Sequence, residues 1–175
     1  MSAHKNIHIG MLGCGVVGGQ VAALLEKNNA ELSTRAGAKL VLKKIAVRDV
    51  KSAREGVNPA LLTTDAQSII NDPEIDIVIE VMGGIDPARE LILAAINNGK
   101  SVVTANKALL ATHGADLFTA AADAEVFPVD AQITALEPSS AAFDIAIVIP
   151  RSLKDPVGFR PSYLIQTLFF NNSDK

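Results

Sequence analysis

Residues 7–18 have the sequence IHIGMLGCGVVG, in which a short apolar run leads into three closely spaced glycines. An apolar run of this length is typical of a buried strand, and clustered glycines are typical of a tight turn. Beyond the glycines, apolar side chains recur at helical spacing from Val17 to Leu25. The sequence therefore predicts a strand, a glycine turn and a helix in direct succession.

Gly13, Gly15 and Gly18 have the spacing with which a backbone holds a pyrophosphate. Unpaired N–H groups and the helix dipole favour an anion at a helix N-terminus, where larger side chains would block its approach. In this pattern the first glycine makes the turn, the second admits the pyrophosphate and the third lets the helix pack on the strand. Three glycines alone also occur in plain loops. The flanking strand and helix favour nicotinamide-dinucleotide binding.

Three more strand candidates follow, at residues 40–47, 75–82 and 101–105, and helical patterns separate or follow them. Thr64 and Gln67 have capping-box spacing for a short helix. Asp86 and Pro87 predict the start of another helix, and residues 108–124 form an alanine-rich helical stretch. This alternation predicts an α/β fold, a Rossmann-type doubly wound parallel sheet, over residues 1–126.

Arg48 and Asp49 lie where the second strand should end, farther from the glycines than is usual. An insertion at residues 31–39 accounts for the delay. Arg48 could pair with a 2′-phosphate and favour NADP, whereas Asp49 could accept a hydrogen bond from a free ribose and favour NAD. A solvated ion pair in a loop would have the same sequence. We favour Arg48 and NADP.

Gly83, Gly84 and Lys107 follow the third and fourth strands, at the sheet edge where α/β proteins place ligands. The glycines would let a cofactor or substrate approach the backbone, although a plain turn would also explain them. Lys107 could hold a carbonyl oxygen, a carboxylate or a cofactor phosphate, whereas most isolated lysines are solvated. We expect Lys107 to be a catalytic residue and a cofactor contact.

The composition excludes several classes of protein. The chain has 175 residues, 49% hydrophobic and 20% charged, with a formal net charge of -3. No basic field attracts nucleic acid, and no apolar run is long enough to span a bilayer. Residues 1–6 are polar and lack the apolar stretch of a secretory signal, so we expect a cytoplasmic protein with neither a nucleic-acid nor a membrane partner.

The single cysteine, Cys14, excludes an internal disulfide. Cys14 is either a reactive thiol at a helix N-terminus or, more simply, a small residue at a variable position of the glycine pattern. The spacing of His4, His8 and His113 suggests neither a metal site nor a catalytic pair, and we expect no metal.

Composition changes after Val126. Five of the six phenylalanines, the only tyrosine and five of the eight prolines lie in residues 127–175, which contain a single glycine. Residues 145–149 are a strand candidate, but the prolines argue against further regular structure. We therefore treat residues 127–175 as a divergent tail.

Taken together, four segments resemble the N-terminal NAD(P)-binding domain of homoserine dehydrogenase. They are IGMLGCGVVG at 9–18, IAVRD at 45–49, DIVIEVMGG at 76–84 and SVVTANKA at 101–108. The resemblance ends near Val126. It implies an NAD(P)-dependent oxidoreductase that interconverts L-homoserine and L-aspartate 4-semialdehyde in threonine and methionine biosynthesis.

The resemblance also implies roles for individual residues. The expected pyrophosphate contacts are Gly13, Gly15, Val16, Val17 and Gly18. The adenosine ribose or its phosphate would lie near Val47 and Arg48, the nicotinamide-side ribose near Gly83, and the nicotinamide and amino-acid substrate near Thr104 and Lys107.

Members of this family continue into a large catalytic and dimerisation domain, but residues 125–129 and the tail do not match it. The substrate-binding acids and a second, proton-donating lysine belong to that domain. We therefore expect a truncated enzyme without full turnover, produced by a frame change or by divergence into a new module. Its oligomeric state stays open between a monomer and association through exposed apolar surface.

Two other functions are compatible with the sequence. One is a catalytically incompetent dinucleotide-binding module that keeps the glycine turn and lacks a substrate domain. The other is a different oxidoreductase with the same opening, such as an aspartate or semialdehyde dehydrogenase, in which the tail supplies a different substrate site. The semialdehyde type would need a catalytic cysteine, and Cys14 is misplaced for that role.

Overall fold

A computed structural model of the chain describes residues 6–124 and 147–149. One sheet with helices on both of its faces forms the described part, which agrees with the predicted α/β fold. The strands are β1 Asn6–Leu12, β2 Lys39–Ala46, β3 Leu62–Thr63, β4 Ile77–Glu80, β5 Ser101–Thr104 and β6 Ile147–Ile149. The α-helices are α1 Val16–Lys27, α2 Asn29–Ala36, α3 Gln67–Ile70, α4 Ala88–Asn97 and α5 Lys107–Asp123, and residues Pro59–Leu61 form a 3-10 helix.

The strand order across the sheet is β3-β2-β1-β4-β5-β6. Strands β1 to β5 pair in parallel, and β6 pairs with β5 in the antiparallel direction. The chain proceeds outward from β1 through β2 to β3, then returns to the other side of β1 for β4 and β5. The reversal lies between β1 and β4, and a doubly wound sheet binds its ligand in the crevice at the carboxyl ends of these strands.

Two hydrophobic cores cover the two faces of the sheet because β1 alternates its side chains between them. Ile7, Ile9 and Met11 pack on one face with buried residues of α1 and α2. Leu12 lies in the other core with buried residues of α3, α4 and α5. Residues of β4 and β5 are buried on both faces, as expected for the centre of a parallel sheet.

Two local features differ from what the sequence suggested. The segment taken as an insertion, residues 31–39, is mostly helix α2, which ends at Ala36 and is capped by Gly37 in the left-handed conformation (φ 69°). The capping box does not form. Instead the carboxylate of Asp65 accepts a hydrogen bond from the Ser68 N–H at 3.1 Å.

The strand predicted within residues 145–149 is confirmed as β6, whose side chains are not described. The other predictions for the tail lie outside the described residues. Within the described residues, no helix combines the length and apolarity that crossing a membrane requires. The cytoplasmic location stays a prediction.

Candidate functional site

The turn after β1 requires glycine at two positions. Gly13 has a φ of 99°, and a Cβ atom there would lie 2.8 Å from the carbonyl oxygen of Val81. A Cβ atom on Gly18 would lie 2.6 Å from the carbonyl oxygen of Gly13. The first glycine therefore makes the turn, and the other lets α1 pack directly against it.

Gly15 has open space beside it. It precedes α1 as the N-cap residue, is exposed, and a Cβ atom built on it would meet nothing within 4 Å. The first hydrogen bond of α1 runs from the Gly19 N–H to the Gly15 carbonyl at 2.8 Å, so the N–H groups of Val16 and Val17 have no acceptor within the helix. The first turn carries no acidic side chain. This open cradle of N–H groups fits a pyrophosphate.

Cys14 is buried between these glycines. Burial raises the pKa of its thiol, against the opposing influence of the Arg54 guanidinium. A raised pKa disfavours the thiolate that a reactive cysteine needs. The geometry therefore supports the interpretation of Cys14 as a small packing residue.

Arg48 and Asp49 are both exposed in the loop after β2, but only Asp49 has its side chain bonded within that loop. The carboxylate of Asp49 accepts hydrogen bonds from the Lys51 N–H and the Ser52 hydroxyl, both at 2.8 Å, and these bonds hold the pKa of Asp49 below its ordinary value. Arg48 is exposed. Val47 is buried, and its N–H donates to the carbonyl oxygen of Thr63 at 2.8 Å.

Arg54 is a site residue that sequence reasoning missed. Its Nε donates to the carbonyl oxygen of Cys14 at 3.1 Å, and its Nη1 donates to the carbonyl oxygens of Asp49 and Ser52 at 3.0 and 2.7 Å. One guanidinium thus joins the loop after β2 to the glycine turn. A lone arginine in a polar loop carries no periodic signal that would have revealed this contact.

Beyond β1, at the ends of β4 and β5, a buried carboxylate joins two turns. Glu80 is fully buried, and its carboxylate accepts hydrogen bonds from the Met82 N–H at 2.8 Å and from the Thr104 hydroxyl at 2.5 Å. Thr104 is also fully buried, and its hydroxyl accepts the Asn106 N–H at 3.1 Å. Glu80 was missed in the sequence. A glutamate at the end of an otherwise aliphatic strand was the signal available.

Asn106 connects this pair to the residues on either side. Its Nδ2 donates to the carbonyl oxygen of Gly84 at 2.5 Å, and its Oδ1 accepts the N–H of Leu109 in the first turn of α5 at 3.2 Å. Gly83 and Gly84 are exposed, with φ values of 73° and 79°. Lys107 is exposed at the first residue of α5.

The structure brings the predicted site residues to one edge of the sheet. Each follows or ends one of four neighbouring strands: Gly13, Gly15, Val16, Val17 and Gly18 after β1, Val47 and Arg48 after β2, Gly83 after β4, and Thr104 and Lys107 at β5. Among the described residues, no histidine lies at this edge of the sheet. The N–H of His8 donates to Asp76 at 2.9 Å, and Nδ1 of His113 lies 3.7 Å from Asp116.

Comparison with known proteins gives one consistent result. Residues 13–127 match the family model described as homoserine dehydrogenase, NAD binding domain. The homoserine dehydrogenase of Corynebacterium glutamicum is 50% identical over 120 residues, which are 69% of this chain and 27% of that protein. That of Pseudomonas aeruginosa is 43% identical over 118 residues, 67% of this chain and 27% of that protein. The chain thus spans about a quarter of the length of these curated relatives.

Solved structures agree with the sequence comparison. The crystal structure of a homoserine dehydrogenase from Thiobacillus denitrificans superposes with a TM-score of 0.67 at 44% identity, over 71% of this chain and 29% of that one. A hyperthermophilic archaeal homoserine dehydrogenase in complex with NADPH superposes with a TM-score of 0.54 at 22% identity, over 68% of this chain and 41% of that one. At that identity the second likeness concerns the fold alone.

Proposed function

The chain belongs to the homoserine dehydrogenase family through its NAD-binding domain, and from this we propose that it binds NAD(P) along the carboxyl edge of its sheet. The observation that carries the proposal is the open space at Gly15. Two neighbouring glycines are packed against backbone, whereas Gly15 faces an empty cradle of N–H groups at the start of α1. A pyrophosphate placed there would accept hydrogen bonds from Val16 and Val17 and gain from the helix dipole.

The direction in which the cofactor crosses the sheet gives the roles that we propose for the remaining site residues. With the pyrophosphate on Gly13, Gly15, Val16, Val17 and Gly18, the adenosine half extends toward β2 and the nicotinamide half toward β4 and β5. Val47 and Arg48 then border the adenosine ribose. Gly83 and Lys107 border the nicotinamide end, and the buried Thr104 supports that end from within the sheet.

A matched pair of glycine variants tests this placement. Gly15→Val puts a branched side chain into the cradle, and we expect it to weaken NADPH binding by at least about tenfold while the protein melts cooperatively near the wild-type temperature. Gly19→Val is the control, because a Cβ atom on Gly19 also meets nothing within 4 Å but lies one helical turn further on. Unchanged NADPH affinity in Gly15→Val would exclude the glycine turn as the binding site.

We extend the proposal to NADP as the preferred cofactor. The Asp49 carboxylate, which would accept from a free ribose hydroxyl, already accepts two hydrogen bonds within its own loop. The Arg48 side chain is exposed at the end of β2, and a guanidinium matches the geometry of a phosphate. Both features favour a ribose that carries a 2′-phosphate.

The activity that we propose for the protein is the reaction of its family, the interconversion of L-homoserine and L-aspartate 4-semialdehyde. A bound nicotinamide supplies or takes up the hydride. The contribution of this chain is to fix the cofactor at the sheet edge and to present the Lys107 ammonium beside the nicotinamide end. An ammonium there would polarise a substrate carbonyl oxygen by donating a hydrogen bond to it.

Cofactor binding without turnover is the second candidate. It is supported by the open cradle of N–H groups at Gly15, which concerns cofactor binding alone. Adding L-aspartate 4-semialdehyde to the NADPH-loaded protein separates the two candidates. A loss of NADPH absorbance that occurs with the wild type but not with Lys107→Met would support the dehydrogenase. Binding without any such loss would support the cofactor-binding module.

A further inference from the structure

Glu80 is an unusual residue to find at the end of a central strand. Its side chain is fully buried, among neighbours in β4 that are all aliphatic. Removing a carboxylate from water is costly unless donors replace the lost hydrogen bonds. Two donors do so here. The N–H of Met82 lies in the turn after β4, and the hydroxyl of Thr104 belongs to the last residue of β5.

The hydrogen bonds continue from this carboxylate to the surface. Glu80 and Thr104 are directly paired in the β4–β5 ladder, so the buried contact closes the carboxyl end of that ladder. The Thr104 hydroxyl holds the Asn106 N–H, and the Asn106 side chain reaches across to the carbonyl oxygen of Gly84. The same side chain caps α5 through the Leu109 N–H.

Both turns that this network joins lie at the nicotinamide end. Gly83 and Gly84 both have positive φ, a conformation that glycine adopts without side-chain strain, and they carry no side chain that could anchor the turn. Hydrogen bonds to Met82 and Gly84 therefore hold the two ends of that turn. Lys107 directly follows Asn106, so the position of its backbone depends on the same cap.

We infer that Glu80 is a positioning residue, which acts through Thr104 and Asn106 to hold the Gly83–Gly84 turn and the start of α5 in the geometry that receives the nicotinamide half of the cofactor. This inference rests on the proposed cofactor binding. It assigns Thr104 an indirect role, because the Thr104 hydroxyl is fully buried and bonded to Glu80.

The test compares a whole cofactor with one that lacks nicotinamide. NADPH binding is measured by fluorescence and 2′-phospho-ADP-ribose binding by calorimetry, on the full chain. Thr104→Val removes the hydroxyl while keeping the shape of the side chain. We expect this variant to bind NADPH about tenfold more weakly, whereas its affinity for 2′-phospho-ADP-ribose should change by less than about twofold. Thr104→Ser keeps the hydroxyl and should restore most of the NADPH affinity.

Two further variants guard against a loss of folding. Glu80→Gln keeps the side-chain volume but presents an amide N–H to Thr104. It should also weaken NADPH binding more than 2′-phospho-ADP-ribose binding. Lys100→Met is the control for stability alone. Lys100 is buried at the amino edge of the sheet, where its Nζ donates to the carbonyl oxygens of Asp72 and Ile75. We expect it to lower the melting temperature without changing the ratio of the two affinities.

Three outcomes separate the inference from the proposal beneath it. Selective loss of NADPH in Thr104→Val and Glu80→Gln supports the inference. An equal loss of affinity for both ligands, or no loss of affinity in either variant, overturns the inference and leaves the proposed cofactor binding intact. A folded wild-type chain that binds neither ligand overturns the proposed function and the inference with it.

Discussion

At Gly18 the first helix touches the turn that precedes it. A methyl group there would overlap the carbonyl oxygen of Gly13, and its next neighbours would be the carbonyl carbon of Gly13 and Cγ2 of Val81, both at 3.1 Å. Backbone cannot move aside as a flexible side chain can. The tight fit at Gly18 is therefore a requirement of the fold, whereas the space at Gly15 is available to a ligand.

We expect Gly18→Ala to destabilise the fold by about 1–3 kcal/mol, which is the usual cost of overpacking a buried position. Gly19→Ala is the matched control. A Cβ atom at that helical position meets nothing, so alanine should be neutral or slightly stabilising. Urea unfolding followed by circular dichroism measures both. Equal stability of the two variants would contradict the close contact between α1 and the turn.

Under the proposed function, single residues also decide the cofactor preference. We expect Arg48→Ala to weaken NADPH binding by about tenfold or more, since a hydrogen bond to a charged group contributes about 1.5–3 kcal/mol, and to leave NADH binding nearly unchanged. Lys51→Ala is the control, because it removes an exposed cation from the same loop. Parallel fluorescence titrations with NADPH and NADH provide the comparison. A similar loss for both cofactors in Arg48→Ala would refute the assignment of the 2′-phosphate.

Residues differ in how far sequence predicts their local geometry and contacts. Gly13, Gly15 and Gly18 were predictable because the dihedral angle, the open space and the close packing all act within one short segment. Arg54 and Glu80 were not, because their partners Cys14 and Thr104 are 40 and 24 residues away in the chain. Only the folded sheet brings such residues together. The sequence shows a lone glutamate at the end of an aliphatic strand, but it does not show which residue that glutamate will contact.

Among the elements, β2 is tied to the segment before β4 by an ion-pair cluster. The Nζ of Lys43 lies 2.9 Å from Oδ2 of Asp72 and 2.5 Å from Oε2 of Glu74. Hydrogen bonds from Lys43 lower the pKa of both carboxyls below their ordinary values of 3.8 and 4.5. The bond to Glu74, followed by that to Asp72, raises the pKa of Lys43 above 10.5.

This cluster predicts a stability contribution that depends on pH. Carboxyls with a lowered folded pKa stabilise the fold at pH values above their unfolded pKa, and that contribution is lost as the pH falls through the folded pKa. The raised pKa of Lys43 contributes stability below pH 10.5, which is lost as the pH rises further. The contribution is therefore complete at neutral pH.

We expect Lys43→Met to lower the melting temperature by a few degrees at pH 7. The difference from wild type should shrink as the pH falls below 3.8. Arg35→Met is a suitable control, because Arg35 makes an exposed ion pair with Glu31 on α2, with the charged atoms 3.6 Å apart. Thermal melts between pH 7 and pH 2.5 test this. A constant difference across that range would show that the cluster contributes through packing and not through charge.

Element prediction succeeded where apolar residues followed a clear strand or helix pattern. Strands β1, β2, β4 and β5 and helices α1, α4 and α5 were all predicted, with ends that differ by one to a few residues. Helix α2 was missed because it buries only Leu32 and Ala36, and its other residues apart from Ala30 are polar. Strand β3 has two residues and pairs only with the end of β2, so no alternation could reveal it.

For the whole molecule, the order of elements was enough to predict that the candidate site residues meet at one edge of the sheet. Parallel strands joined by crossover helices have their carboxyl ends at one edge, so residues following different strands converge there. The position of β6 was not predictable in this way. It lies beyond the predicted domain boundary at residue 126, yet it pairs with β5 in the antiparallel direction. A short strand far along the chain gives no indication of the strand with which it will pair.

The central claim is that this chain binds a nicotinamide dinucleotide at that edge. The measurement that tests it most directly is a fluorescence titration of the purified full chain with NADPH, on a sample whose cooperative thermal unfolding has been verified. We predict saturable binding to one site per chain, with displacement by NADP. A cooperatively folded protein that shows no saturable NADPH or NADH binding at millimolar concentration would contradict the claim.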